Sequence, residues 1–151
     1  MNERLKDKVA LITGAAQGLG KEMAKSMISE GAEVFMSDIN QDQLDKTVTE
    51  LSCLGISLDV TKSEDWEKAV AYIKDKSGSL NILVNNAGIG NGGDIESTDM
   101  DTWRLVHNVN LDSVFLGCKY SLPLMRDSGN GSIINISSCL LYTSPSPRDR
   151  V

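Results

Sequence analysis

Val9-Ala10-Leu11-Ile12-Thr13-Gly14-Ala15-Ala16-Gln17-Gly18-Leu19-Gly20 decides how this chain folds. Its first four residues form a continuous apolar run, the pattern of a strand buried on both faces of a sheet. Gly14, Gly18 and Gly20 interrupt that run. Met23, Ala24, Met27 and Ile28 then recur at helical spacing until Gly31 closes the helix. A buried strand, a glycine-rich turn and a helix N-terminus together let backbone approach a pyrophosphate and offer it free N–H groups and a partial positive charge. The same glycines could simply make a tight strand-to-helix turn. Their place between strand and helix favours nucleotide binding.

Val34-Phe35-Met36 reads as a second strand ending at Ser37-Asp38. Asp38 lies roughly 20 residues past the glycines, where a carboxylate can accept bonds from the adenosine ribose hydroxyls and repel a 2′-phosphate. Neither Lys nor Arg stands among Ser37, Asp38, Ile39 and Asn40, and Gln17 is uncharged, so NAD is expected over NADP. Gln41 to Cys53 carries Leu44, Val48 and Leu51 on one helical face. Ile56-Ser57-Leu58-Asp59-Val60 reads as a third strand, and Thr61 with Glu64 as a T-x-x-E capping box opening a helix with Trp66, Ala69, Val70 and Ile73 on its apolar face. Asn81 to Asn85 is a fourth strand, followed by a glycine-rich loop from Gly88 to Gly93.

A short helix around Met100 to His107 precedes a longer one beginning near Asn110, with Leu111, Val114, Phe115, Cys118, Leu122 and Met125 along one stripe. Pro123 is expected to kink the long helix, and Gly129 and Gly131 to end it. Ser132 to Ser137 reads as a fifth strand. Strands alternating with helices predict an α/β fold, a doubly wound parallel sheet of Rossmann-like type, with right-handed crossovers giving the order 3-2-1-4-5.

At this point the chain resembles the short-chain dehydrogenase/reductase family. The glycine pattern is G-x-x-x-G-x-G, the variant of that family. Asn85-Asn86-Ala87-Gly88 matches its NNAG motif, Asp59-Val60 the pair that contacts adenine, and Asn110 the asparagine opening the long helix. Ser137-Ser138 matches its active-site serine region. The resemblance runs from residue 5 to about residue 138 and is nearest to NAD-dependent alcohol and hydroxysteroid dehydrogenases. It implies hydride transfer between NAD and a secondary alcohol or ketone, with general acid–base catalysis by a tuned tyrosine. By position it makes Ser138 the substrate-orienting serine and Asn110 the relay asparagine. Gly14, Gln17, Gly18, Leu19, Gly20, Asp38, Ile39, Asp59, Val60, Asn86, Ala87 and Gly88 become the cofactor-binding set.

The pattern breaks after Ser138. The family's Tyr-x-x-x-Lys does not follow: Tyr142 has Ser146 four positions on, no Lys comes after Lys119, and Pro145 and Pro147 disfavour a helix. The chain is therefore read as a C-terminally truncated nucleotide-binding domain over residues 1–138, with 139–151 a foreign or disordered tail. Loss of the following elements would uncover Ile133, Ile134 and Ile136 on an edge strand and leave the stripe from Leu111 to Met125 without its neighbour, lowering solubility. In the family that long helix also lies in a subunit interface, so the complete enzyme is expected to be a homo-oligomer.

Two other functions fit parts of the sequence. One is a dinucleotide-binding module without catalysis. The other is an S-adenosylmethionine methyltransferase, against which NNAG and the serine pair both argue. The 151 residues carry a net charge of −6, which disfavours nucleic acid as a partner. No apolar run approaches the roughly 20 residues of a membrane span. Three scattered cysteines and a charged start without a signal core favour a cytoplasmic setting, and His107, the only histidine, excludes a multi-histidine metal site.

Overall fold

The computed structural model describes residues 3–137. Five strands, β1 (Val9–Thr13), β2 (Glu33–Asp38), β3 (Leu54–Ser57), β4 (Ile82–Asn85) and β5 (Ser132–Asn135), form one parallel sheet in the order β3-β2-β1-β4-β5. The expected doubly wound topology is present. β1 takes the centre because every one of its residues is buried. Ala10 pairs with Val34 of β2 on one side and Ile82 of β4 on the other.

Strand alternation splits the core into two layers. Val9, Leu11, Phe35 and Leu83 face α3 (Ser63–Ser77) and α5 (Ser113–Ser128), meeting Trp66, Ala69 and Ile73 from the first and Leu124 and Met125 from the second. Ala10, Ile12, Val34, Met36 and Val84 face α1 (Gly18–Ser29) and α2 (Gln41–Leu51), meeting Ala24 and Leu44. The third and fifth helices close on Trp66, which is wholly buried and donates its indole N–H to Val60 O at 2.9 Å. Gly117 permits that approach, since a Cβ there would stand 2.9 Å from Trp66 and 2.5 Å from Asn85 Oδ1.

Several local expectations are corrected. β3 begins two residues before Ile56, pairing Leu54 with Phe35, and stops at Ser57. Leu58, Asp59 and Val60 follow it as irregular chain. The T-x-x-E box does not form. Lys62 is the N-cap of α3 without a side-chain bond, because the Thr61 hydroxyl donates instead to Asp59 Oδ1 at 2.7 Å. β4 starts at Ile82 and β5 ends at Asn135, both shorter than expected. Asn110 does not open a new helix. α4 (Met100–His107), a π-type turn (Asn108–Asp112) and α5 run on as one helical path, with both flanking residues His107 and Ser113 in right-handed conformation. α5 also continues through Pro123 and ends at Gly129 with φ +65°.

The long apolar stripe is divided between surface and core. Leu111, Phe115 and Leu122 are exposed, while Ser113, Gly117, Ser121, Leu124 and Met125 face the sheet. Ile134 and Ile136 are exposed at the β5 edge. Ser138, the Tyr142 region and the reading of 139–151 lie outside the described residues.

Candidate functional site

The carboxyl ends of β1, β2 and β4 converge on one cleft of about 560 Å³, at the point where the chain leaves the central strand in opposite directions. In open α/β sheets this switch point is where ligands bind. Of the sequence-derived cofactor set, Gly14, Gln17, Leu19, Gly20, Asp38, Ile39, Asp59, Val60, Asn86, Ala87 and Gly88 all line it. Gly18 is the exception: it sits at the start of α1 with φ +58°, and a Cβ added there would meet nothing within 4 Å. Leu58, Ile89, Leu105 and Val109 also line the cleft and lie outside the expected set. Leu58, Ile89 and Val109 each adjoin a motif residue; Leu105 carries no sequence signal.

The floor of the cleft is fixed by polar side chains at strand ends. The Thr13 hydroxyl accepts the N–H groups of Asn86 and Ala87, each at 3.0 Å, and donates to Val84 O at 3.3 Å. The Asn86 amide donates to Thr13 O at 2.8 Å and Gly14 O at 3.0 Å, pinning the glycine turn to the end of β4. Two glycines are required by this closeness. A Cβ at Gly14 would stand 2.8 Å from Ala87 Cα, and one at Gly20 would stand 2.5 Å from Gly14 O and 2.7 Å from Asn86 Nδ2.

The N-terminus of α1 opens into the cleft without competition. Its N-cap, Gln17, makes no side-chain cap bond and its first turn holds no acid. Three of the other helices differ: Asn40 caps α2 and Asp99 caps α4 by side chain, and α3 has Glu64 and Asp65 in its first turn. Uncapped N–H groups beside a glycine turn fit an anionic phosphate.

The Asp38 carboxylate accepts from Ala16 N–H at 3.1 Å on one oxygen and from Asn40 N–H at 3.0 Å on the other. Each oxygen keeps acceptor capacity for a hydroxyl. Lys21, one turn into α1, is tied to Glu50 at 2.7 Å. Asp59 bends back on its own turn, accepting from the Thr61 N–H and hydroxyl and pairing with Lys62 at 3.2 Å. Partial burial pushes its carboxyl up, but the Thr61 bonds and the Lys62 charge outweigh this and hold it below the usual aspartate range.

Asn110 reaches the site from the π-type turn. Its Oδ1 accepts Ile89 N–H and its Nδ2 donates to Ile89 O, both at 2.8 Å, clamping the loop after β4. Single π-type turns within helices recur at functional sites. His107 stacks on Trp103 with ring centroids 4.2 Å apart, and no metal-holding cluster of His, Cys, Asp or Glu occurs among the described residues. A Tyr-x-x-x-Lys spacing does occur at Tyr72 and Lys76, but on α3, with Tyr72 packed edge-on to Phe35 and neither residue lining the cleft.

Fold and cleft together define a doubly wound α/β protein of Rossmann-like type. A family model described as short chain dehydrogenase matches residues 8–144, and the chain belongs to the short-chain dehydrogenases. It is 42% identical over 145 residues to 2,5-dichloro-2,5-cyclohexadiene-1,4-diol dehydrogenase LinX of Sphingobium indicum, covering 93% of this chain and 58% of that protein. It is 40% identical over 140 residues to 3-beta-hydroxysteroid dehydrogenase of Comamonas testosteroni, covering 91% and 55%. A crystal structure assigned to the short-chain dehydrogenase/reductases, from Burkholderia xenovorans, superposes with a TM-score of 0.85 at 36% identity, covering 90% of this chain and 58% of that one. The chain thus spans somewhat more than half the length of these relatives. No helix among the described residues is long and apolar enough to cross a membrane.

Proposed function

We propose that this chain holds the cofactor cradle of an NAD-dependent dehydrogenase, which in the whole protein interconverts a small-molecule secondary alcohol and its ketone. The observation that carries this is the Asp38 carboxylate. It lines the same cleft as the uncapped α1 N-terminus, with acceptor capacity left on both oxygens and Lys21 engaged elsewhere. A ribose diol satisfies such a carboxylate, whereas a 2′-phosphate meets like charge. The glycine turn and α1 N–H groups take the pyrophosphate. Exposed Leu19 and Ile39 and buried Val60 offer apolar contact to the adenine, with Asp59 at its rim.

When bound, the nicotinamide supplies the hydride acceptor or donor. The chain's own residues bind and orient it: Asn86 and Thr13 hold the turn, and Asn110 fixes Ile89 at the substrate side. Ser138 is assigned to orient the substrate oxygen and Asn110 to support the proton relay, both by family position. The relatives' names, a cyclohexadiene diol and a hydroxysteroid, favour a hydroxyl carried on a ring. The outward stripe of Leu111, Phe115 and Leu122 is consistent with a homo-oligomer of the whole protein.

A second reading is favoured by one feature of the sequence as it stands. No Tyr-x-x-x-Lys follows Ser138, so the 151-residue chain is expected to bind NAD without turning over alcohols. Calorimetric titration with NAD⁺ and NADP⁺ tests the cradle. Saturable NAD⁺ binding, with NADP⁺ weaker by about tenfold or more, is expected from one unfavourable charge contact. Equal affinities would remove Asp38 from the role given to it.

A further inference from the structure

We propose that Thr47, on α2, is a positioning residue that acts through Ala16 to present the Asp38 carboxylate to the adenosine ribose. The inference rests on the cofactor reading of the cleft. Thr47 is 1% exposed, and its hydroxyl donates to Ala16 O at 2.7 Å across 31 residues of sequence. A helical threonine ordinarily satisfies its hydroxyl on its own helix. Thr49, two residues along α2, does so on Asp45 O at 2.7 Å. Thr47 reaches out of its helix to the glycine turn instead.

Ala16 is thereby held at both backbone groups. Its carbonyl accepts from Thr47 and its N–H donates to Asp38 Oδ2. The other Asp38 oxygen accepts from Asn40 N–H, and the Asn40 side chain in turn caps α2 by accepting Gln43 N–H at 3.1 Å. These four bonds close a circuit: α2, Ala16, Asp38, Asn40 and back to α2. The circuit fixes the carboxylate by one donor on each oxygen and leaves the remaining acceptor positions for two neighbouring hydroxyls. Opening it at Thr47 frees the Ala16 peptide and leaves only the Asn40 side of the carboxylate held from α2. Thr47 does not itself line the cleft, so its effect runs through Ala16.

The test uses the 151-residue chain with Thr47→Val, Thr47→Ser, Thr47→Cys, Asp38→Asn and the Thr47→Val/Asp38→Asn pair. Calorimetry gives affinities for NAD⁺ and NADP⁺, and amide hydrogen exchange is followed at Ala16 without ligand. Loss of one buried hydrogen bond predicts NAD⁺ affinity about 5- to 10-fold weaker in Thr47→Val, with NADP⁺ affinity unchanged and Thr47→Ser within about twofold of wild type. Thr47→Cys, a weak donor, falls between them and serves if the valine variant does not fold. In the Asp38→Asn background Thr47→Val adds no further loss. The Ala16 amide exchanges faster in Thr47→Val and not in Thr47→Ser. Equal weakening of both dinucleotides, an undiminished loss in the Asp38→Asn background, or unchanged exchange at Ala16 would overturn the proposal. Absence of NAD⁺ binding by the wild type would overturn the cofactor reading, and with it the ribose role; exchange at Ala16 would then decide the remaining claim that Thr47 holds the turn.

Discussion

Gly20→Ala and Gly18→Ala separate two reasons for which this turn needs glycine. At Gly20 the added Cβ meets Gly14 O at 2.5 Å, Asn86 Nδ2 at 2.7 Å and Ala15 Cα at 2.8 Å. Two of these atoms are backbone, and the third is held by bonds to Thr13 O and Gly14 O. None can yield without loss. Overpacking costs about 1–3 kcal/mol. Displacing Asn86 weakens two hydrogen bonds at about 1 kcal/mol each. Alanine regains about 1 kcal/mol of helix propensity over glycine. The sum is a destabilisation of about 2–4 kcal/mol. At Gly18 the space is open but φ is +58°, so alanine meets only the left-handed penalty of about 1–2 kcal/mol. Urea unfolding followed by fluorescence of the buried Trp66 measures both. A Gly20→Ala loss below about 0.5 kcal/mol, the level of an indifferent surface change, would refute the steric reasoning. So would a larger loss at Gly18 than at Gly20.

Asn110→Ala removes both bonds to Ile89 and should lower stability by about 1–2 kcal/mol, with faster amide exchange at Ile89 in the same variant. Asp59 is held below its unfolded pKa, so the stability it contributes is present above the unfolded value and is lost as pH falls through the folded one. Asp59→Asn should therefore show a smaller drop in stability than wild type when pH is taken below about 4. Ile134→Lys, at an exposed position on the β5 edge, should raise the concentration at which the chain stays monodisperse in light scattering.

What is legible in the sequence is local and repeated. The glycine turn, Asp38 and Asn86 each sit at the end of a short apolar strand, and a strand end fixes where the next residues must point. The 3-2-1-4-5 order follows because β1 is buried at every position, which suits a central strand, and right-handed crossovers place the others around it. Expectation and structure part where tertiary partners decide. The third strand is read from Ile56, yet Gly55 already pairs with Met36 inside β3, beside the side chains of Val48 and Leu44. Thr61 has the spacing of a capping box, but Asp59, two residues away, captures its hydroxyl. In α5 the stripe read from spacing divides: Leu111, Phe115 and Leu122 are exposed, while Met125 is in the core. Gly117, outside that stripe, is where the helix comes close to Trp66. Asn110 is visible by motif, but its double clamp on Ile89 depends on a π-type turn that no local pattern announces. Thr47 carries no signal beyond membership of a helix, because its partner lies 31 residues earlier in the chain.

The central claim is that the cleft at the ends of β1, β2 and β4 is a dinucleotide cradle with Asp38 on the ribose. A crystal structure of the chain with NAD⁺ tests it most directly. The pyrophosphate should lie over the N-terminus of α1, with both adenosine ribose hydroxyls within hydrogen-bond distance of the Asp38 carboxylate and the Ala16 and Asn40 bonds to that carboxylate intact. A dinucleotide bound elsewhere, or one bound in the cleft with Asp38 turned away from the ribose, would contradict it.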